Sequence, residues 1–596
     1  LARYADSHGF QRDDLRDMWA YRDWVVDALN DDMPFDRFTI TQIAGDLLPE
    51  ANQGTRIATG FHRCAPTNVE AGTDPEESRI NQVFDRVNTT AAVWLGVTLE
   101  CAQCHDHKYD PFSQEEYYRF AAYFNSTEAE VERANPKVPS SIKFIGPSIN
   151  LSHDPWETER KSISQSLSDA RKDVKKFKGG KTEKDVIQDE SEQPTTCGGE
   201  TFVDQQDQRD DADVRLKTME KKVRQLQNKL ASIPEAKTLV MQERAKPRET
   251  FVFNRGDFTD PLRQVDAGTP SVLGGTTEGL ANRLMLAKWL VSQDNSLTAR
   301  VFVNRVWFEI FGQGIVTTLE DFGVKGERPT HPELLDSLAV EFMEDGWSLK
   351  KLVRRIVTSR TYRQSSTVTS KKRLQDIQNK WLARGPRFRL DAEGIRDNAL
   401  AIAGLLSTAK GGPSIRPPQP NGLWTKLGGQ KYIYEVSPGE QQYRRGIYVV
   451  LKRGSPYPSF MTFDATERMT CVTRRSRSNT PLQSLVLLND PVYTEAAFAF
   501  GARMLSESPE DTDTSRIDYG FRIAVSRQPT AREVNLLQKL LNSERQALVA
   551  NPKKVEVIMK DHSGVDIPES MDSNELAAWY VIAATILNLD ETITKN

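Results

Sequence analysis

The chemistry legible in this sequence sits in five residues, Cys101-Ala102-Gln103-Cys104-His105. Two thiols three positions apart, followed at once by an imidazole, have the spacing that attaches a c-type haem. The sulfurs add to the porphyrin vinyl groups, and the adjacent ring reaches the iron from the same face. On this reading haem c is the covalent cofactor, Cys101 and Cys104 carry it, and His105 is the proximal ligand. His107, Lys108, Tyr109, Asp110 and Pro111 follow as a polar collar suited to hydrogen bonds with the His105 ring or haem propionates. A sixth ligand would favour electron transfer, whereas an open face permits peroxide or substrate chemistry. By residue type the candidates are His8, His62, His331 and Met469, and spacing does not choose among them. Two competing readings stay open. A zinc knuckle needs four ligands, and no second Cys-x-x-Cys pair supplies them. A thioredoxin-like redox pair belongs at the end of a strand, whereas the residues before Cys101 pattern as a helix.

The elements that must position this motif are helical. Apolar residues recur at three and four through Met18–Leu29, Asn30–Pro34 stops that run, and a second helix begins near Phe38 and ends before Pro49. A third, Asn81 to Leu99, delivers the chain into the cysteines. Residues 128–247 turn polar and are expected to be partly mobile. Within them Leu216, Met219, Val223, Leu226, Leu230 and Ile233 alternate at three and four, the seam of a short coiled coil or of an intramolecular helical hairpin. From Arg248 the pattern is compact again. A strand is predicted at Glu249–Phe253, a turn at Arg255-Gly256-Asp257, and helices at 281–291, 298–311, 332–345 (capped by Thr330), 349–359 and 392–406. A further strand is predicted at Gly446–Leu451. The fold class is mainly α: a multi-domain helical protein with a polar, coiled-coil-like insertion and minor β. Its parts are 1–127 with the cysteine motif, the insertion 128–247, and a helical domain 248–596.

Composition narrows the function. With 79 basic and 83 acidic residues the net charge is −4, and no nucleic-acid footprint is visible. The longest apolar run, Ala91–Val97, falls far short of the ~20 residues of a transmembrane helix. Five cysteines are too few for a disulfide framework, and Cys64, Cys197 and Cys471 read as buried inert thiols, with a bridge between two of them as the alternative. The first residue is Leu1, and the sequence is expected to begin inside a domain, so a missing leader says nothing about compartment.

Other clusters carry weaker signals. Arg384, Arg387, Arg389, Asp391, Glu393 and Arg396 read as a salt-bridged surface or interface, with an anion clamp as the sharper alternative. Arg474-Arg475-Ser476-Arg477 is similar. Asp464, Glu467 and Asn489-Asp490 could supply carboxylates for acid and base work, although sequence does not fix their separation. The tryptophans read as core, with Trp424 in a Pro/Gly-rich loop the best exposed candidate.

A family resemblance rests on motifs in order along the chain. Tyr4-Ala5-Asp6-Ser7-His8-Gly9, Tyr21-Arg22-Asp23-Trp24-Val25, Ala44-Gly45-Asp46-Leu47-Leu48-Pro49, Asp85-Arg86-Val87-Asn88 and Cys101–Pro111 together resemble the DUF1549 domain of large planctomycete-type proteins. Asn304-Arg305-Val306-Trp307, Asp321-Phe322-Gly323, His331-Pro332-Glu333, Phe463-Asp464-Ala465 and Asn479–Asp490 resemble its partner domain, DUF1553 (PSD1). Cys64 departs from the family, which tends to have a polar residue there. The resemblance implies an exported protein, periplasmic, cell-surface or secreted, often carrying an upstream cytochrome c domain, with haem association and a role in polymer breakdown. The function expected is a c-type haem protein in extracytoplasmic electron transfer or haem-dependent oxidation, with a redox partner and a polysaccharide substrate as the implied partners. The alternative is a non-haem hydrolase, or a carbohydrate-binding or scaffold protein, in which the cysteine motif is structural.

Overall fold

The computed structural model describes the chain apart from residues 11–12, 71, 139–140, 187–201, 275–281, 421, 425–433 and 596, and without the side chains of 179–186, 202–213 and 372. Cys197 lies outside the described residues, as does position 281 of the helix expected at 281–291, which runs Arg283–Leu290. The described residues form twenty α-helices and four two-stranded sheets, a mainly α protein. They divide into two compact units. Residues 1–148 and 238–596 form the larger, and 149–237 the smaller.

The smaller unit is built on two long helices, Glu157–Val186 and Phe202–Ser232. Arg160 Nη2 donates to the Pro234 carbonyl at 2.8 Å, and Lys178 pairs with Glu220 at 2.9 Å, so the helices run antiparallel within one chain. Their seam is the one the spacing predicts. Leu216, Met219, Val223, Leu226 and Leu230 are half-buried and Ile233 is buried. Ile163, Leu167 and Ala170 are buried on the other helix.

In the larger unit, local signals fix the elements nearest the cysteine motif. Asp74 caps the helix Pro75–Thr90, accepting from the backbone N–H of Glu76 (2.8 Å) and Glu77 (3.0 Å), with proline in the first turn. Ile80, Val83, Phe84 and Val87 form its buried face. The helix Gln114–Asn125 begins with a reciprocal box between Ser113 and Glu116 and buries Tyr117, Tyr118, Phe120 and Phe124. These two helices share a core with residues 239–290. A second core gathers residues 299–356, and a third joins 392–587 around the helices Pro491–Ser506 and Ser573–Leu587.

What ties the amino-terminal part to the rest is a set of buried guanidinium groups. Charged side chains are almost never fully buried unless paired, yet ten arginines are buried among the described residues, including Arg3, Arg63, Arg86, Arg283, Arg305 and Arg453. Several donate chiefly to carbonyl oxygens. Arg453 donates to the carbonyls of Arg3 and Cys64, and Arg16 to those of Cys64 and Ala65. Arg283 grips the Ile43 carbonyl at 2.8 Å and the Asp46 carboxylate at 2.7 Å. Glu130, itself buried, accepts from Arg86 at 2.6 Å and pairs with Arg63 at 3.0 Å. Burial pulls the Arg86 guanidinium down to about 10.

Three local expectations are corrected. Gly446–Leu451 is no strand. Gly446–Tyr448 is a single 3₁₀ turn, followed by one parallel bridge from Val449 to Ile415. Tyr448, Val449 and Val450 are all buried, so this apolar run has core on every side and needs no sheet. Trp424 is buried, edge-on to Tyr434 at 4.9 Å, not an exposed platform. The helix Pro332–Glu344 is preceded by His331 at the cap position, while the hydroxyl of Thr330 turns away to the Ile315 carbonyl.

Glu130 offers a direct test of the buried-cation arrangement. Glu130→Gln removes the one carboxylate that Arg63 and Arg86 share, and breaking a buried pair this way costs about 3–5 kcal/mol. The denaturant midpoint is expected to fall accordingly, with the m-value unchanged; a shift within about 0.5 kcal/mol, the range of a surface substitution, would contradict it.

The candidate haem-attachment turn

The segment that delivers the cysteines is an α-helix that changes pitch. After Thr90 the helix widens into a π turn, Ala91–Leu95, and stops at Gly96, whose φ is +61°. A helix end leaves carbonyls without intrahelical donors. Here Arg305, from the helix Thr298–Phe311, donates to the Ala92 and Val93 carbonyls, and the Phe322 N–H donates to the Gly96 carbonyl at 2.7 Å. The cationic side chain sits at the negative end of the helix, where it is favoured. A short 3₁₀ turn, Leu99–Ala102, then carries Cys101.

Cys101, Cys104 and His105 are exposed, and both cysteines are free thiols. Ala102, between them, is fully buried and anchors the turn. The Gln103 carbonyl accepts from the Tyr118 hydroxyl (3.0 Å) and from Gln114 Nε2 (3.2 Å). Asp106 accepts from the Gln114 N–H at 2.8 Å, at the start of the next helix. Cys104 packs against the turn at Arg255-Gly256-Asp257. A Cβ on Gly256 would lie 3.0 Å from its Sγ, and the backbone there has φ +84°, so glycine serves both conformation and close approach.

The two histidines of the motif have opposite tautomers and opposite jobs. His105 Nδ1 faces the Asp106 carbonyl at 2.6 Å, so Nδ1 carries the proton and donates, and the lone pair is left on Nε2. His107 Nδ1 instead accepts the backbone N–H of Asp110 at 2.7 Å and of Tyr109 at 3.2 Å. Its proton is then on Nε2, which donates to Thr98 Oγ1 at 3.2 Å with the Asp110 carboxylate 3.7 Å away. The His107 side chain is only 4% exposed, so it staples the loop.

Asp110 completes the staple. It is buried, and its carboxylate accepts the Val324 N–H at 2.6 Å. A Cβ on Gly323 would come within 2.7 Å of the Asp110 Cγ, which is why Asp321-Phe322-Gly323 meets the loop through a glycine. Lys108 and Lys325 flank the exposed Tyr109 ring at 5.2 and 4.5 Å. The polar collar expected around the haem is therefore divided: His107 and Asp110 hold the loop, whereas Lys108 and Tyr109 face outward.

The sixth-ligand candidates lie in separate settings. His8 is buried against Phe144, 4.8 Å between ring centres, and burial with nearby Arg16 and Arg453 pushes it down to about 3. His62 is fully buried between Phe61 and Phe124 and is held far below its ordinary value by burial. His331 precedes the helix Pro332–Glu344, bonded to Thr330 Oγ1 at 3.0 Å. Met469 borders a cavity with Phe10 and Pro66, and its Sδ approaches Gly9. Among the described residues no three or more His, Cys, Asp or Glu side chains converge as a metal site.

The remaining candidate clusters disperse into separate roles. Arg384 donates to the carbonyls of Asp376 and Ile377, Arg387 pairs with Asp590, and Arg396 is buried on the carbonyls of Arg444 and Gln442. Arg389 pairs with Asp464 at 2.6 Å, and Ser478 bonds that same carboxylate. Asp490 caps the helix Pro491–Ser506 through the Val492 N–H, and burial pushes it up to about 6. Arg477 stacks on Phe388, 4.3 Å from the ring centre. Cys64 is buried as expected, its thiol pushed up by burial, while Cys471 is half-buried. Glu393 pairs with both Arg468 and Arg475, and all three line one cavity. No residue type marks the arginine–carbonyl contacts in advance, because the acceptor is backbone.

Two family models match the chain. Residues 1–129 match PSCyt2, "Protein of unknown function (DUF1549)", and residues 282–541 match PSD1, "Protein of unknown function (DUF1553)". The chain belongs to this two-domain DUF1549/DUF1553 family. No curated protein and no solved structure matches it. Among the described residues no helix is long and apolar enough to cross a membrane.

The buried histidines predict an acid limb in stability. Burial favours the neutral ring of each in the fold, and both protonate near 6.5 when unfolded, so their contribution is complete above pH 6.5 and is lost as pH falls below it, for His8 down to about 3. Each contributes a slope of about 1.4 kcal/mol per pH unit in that window. His62→Phe, which keeps a ring among Phe61 and Phe124, is expected to flatten the stability profile between pH 6 and 4 by roughly that slope. An unchanged slope in urea titrations across this range would show that His62 is not neutral in the fold.

Proposed function

We propose that this chain is a c-type haem protein acting outside the cytoplasm, in electron transfer or haem-dependent oxidation, with polymer breakdown as the setting the family resemblance implies. The observation that carries the reading is the state of the turn. Two free, exposed thiols flank a buried alanine, and the imidazole that follows has its Nε2 lone pair unused while its Nδ1 proton is held by a backbone carbonyl. That hydrogen bond is the outer-shell contact that orients a metal-bound histidine and raises its basicity. The donor set fits the group: two thiols for the thioethers and one pre-oriented nitrogen for the iron.

A bound haem would supply a one-electron redox centre, tuned by the axial ligands and by exposure. The protein's own residues do the rest. Ala102, Tyr118 and Gln114 fix the turn from beneath, while His107 and Asp110 lock the loop after it. Lys108, Lys325 and the Tyr109 ring provide the cationic, partly apolar surface alongside, suited to a carboxylate of the haem periphery or of an acidic redox partner. Location follows from the chemistry: thioether attachment belongs to the extracytoplasmic side, where two exposed neighbouring thiols would otherwise oxidise.

The test is expression with and without a cytochrome c maturation system. Only the matured protein is expected to show a Soret band and a haem mass covalently added to the peptide containing Cys101 and Cys104. The double variant Cys101→Ala, Cys104→Ala should lose the adduct while keeping its helical circular dichroism. Absence of adduct on folded protein from the competent host would sink the proposal.

A further inference from the structure

Charge is nearly balanced over the whole chain but not within residues 346–390, which hold thirteen lysines and arginines against one acid, Asp376. That acid is turned inward. It is buried, and its carboxylate accepts the backbone N–H of Lys380 at 2.7 Å and of Trp381 at 2.9 Å. Several of the cations are also engaged within the fold. Arg355 pairs with Glu341 and Asp345, Arg387 with Asp590 and Arg389 with Asp464, while Arg384 closes the loop on the carbonyls of Asp376 and Ile377. Lys371, Arg373 and Lys380 are exposed and form no ion pair among the described residues. Interleaved with them are Leu374, Ile377 and Trp381, 74%, 71% and 71% exposed. These are three of the four most exposed large apolar side chains among the described residues, and they fall within eight positions. The loop is held without their help. Asn379 bonds the Arg384 carbonyl at 3.0 Å and its N–H at 3.3 Å, Gln364 Nε2 donates to the Leu382 carbonyl at 2.8 Å, and the Gly385 N–H donates to the Ser365 carbonyl at 2.9 Å. Asn379 and Leu382 have φ of +54° and +53°, a left-handed backbone that a leucine adopts only where its surroundings impose it. Leu382 thereby packs on the 299–356 core, while Ile377 and Trp381 stay outside.

We propose that this loop is a docking site for an anionic lipid bilayer. Leu374, Ile377 and Trp381 enter the headgroup boundary, and Lys371, Arg373 and Lys380 meet the lipid phosphates. Leucine and tryptophan set among lysines and arginines are the composition that seats a protein in a membrane interface, where the tryptophan ring lies at headgroup level. Each cation adds attraction to an anionic leaflet, and the inward-turned Asp376 leaves the segment no carboxylate of its own to oppose it. A protein partner fits less well, because lysine is depleted at protein interfaces and their apolar anchors fill packed pockets. A nucleic acid would use the cations but not the two aliphatic side chains. The attachment is peripheral, since among the described residues no helix is long and apolar enough to cross a membrane. It stands independently of the haem reading, because the loop shares no residue with the Cys101–His105 turn.

The test is flotation of the full chain with lipid vesicles at low salt. Equimolar phosphatidylglycerol and phosphatidylcholine vesicles are expected to bind it at least about tenfold more tightly than phosphatidylcholine alone, and to bind it less as salt rises. Ile377→Ser with Trp381→Ser, both at exposed positions, should weaken binding to the anionic vesicles by about tenfold or more. Lys371→Gln, Arg373→Gln and Lys380→Gln together should weaken it on the order of a hundredfold, at about fivefold per cation. Circular dichroism checks the fold of each variant. A single-stranded oligonucleotide is the polyanion control, expected to bind more weakly than the anionic vesicles. No binding of anionic vesicles by folded protein, equal binding to both vesicle types, indifference to the Ile377→Ser, Trp381→Ser change, or tighter binding to the oligonucleotide would each overturn the proposal.

Discussion

The constraint on which the rest of this structure depends is the placement of cationic guanidinium groups in the interior. An arginine buried without compensation costs several kcal/mol, so each must find acceptors as it leaves water. Here the acceptors are largely backbone carbonyls at helix ends and in loops, groups that would themselves be costly to bury unpaired. Each such contact removes two liabilities. Where donor and acceptor come from different family regions, these contacts fuse the DUF1549 and DUF1553 regions into one compact unit. Arg453 reaches Arg3 and Cys64, Arg283 reaches Ile43 and Asp46, and Arg305 closes the helix that leads into the cysteine turn.

The family motifs acquire a physical reading from this geometry. Asn304-Arg305 and Asp321-Phe322-Gly323 in one region, and Cys101–Asp110 in the other, form two sides of one contact. Arg305 fastens the helix end, Asn304 holds Val316 through both its amide groups at 2.9 Å, Phe322 takes the Gly96 carbonyl, and Gly323 admits Asp110. The DUF1553 region thus braces the exposed turn that the DUF1549 region presents, and a surface bearing a reactive group is held by buried contacts behind it.

Much of this was legible in the sequence. The helix over 298–311 and the hairpin seam from Leu216 to Ile233 follow from apolar spacing, because that spacing is what their burial requires. The cysteine turn was legible because three reactive side chains stand in a fixed, short order. The rest was hidden for definite reasons. A carbonyl acceptor leaves no mark on residue type, so arginines in the 384–396 segment read as a single charge cluster although each serves a different partner. His107 and His105 are the same residue type two positions apart, and only the backbone N–H groups of Tyr109 and Asp110 separate a structural ring from an available one. Val449 and Val450 read as a strand because their pattern is apolar, and pattern alone does not separate burial in a sheet from burial in a loop.

The central claim is that the DUF1553 region braces, through Phe322 and Val324, the loop on either side of a cysteine turn that Ala102, Tyr118 and Gln114 anchor from within the DUF1549 region. Hydrogen exchange of the full chain with Gly323→Ala tests this most directly, since the added Cβ displaces the Asp110 carboxylate without touching the turn itself. Amides of residues 96–112 should exchange at least about tenfold faster, corresponding to about 1.4 kcal/mol of lost local stability, with the 157–178 helix unchanged as an internal reference. Unchanged protection across 96–112 in the folded variant would contradict the account.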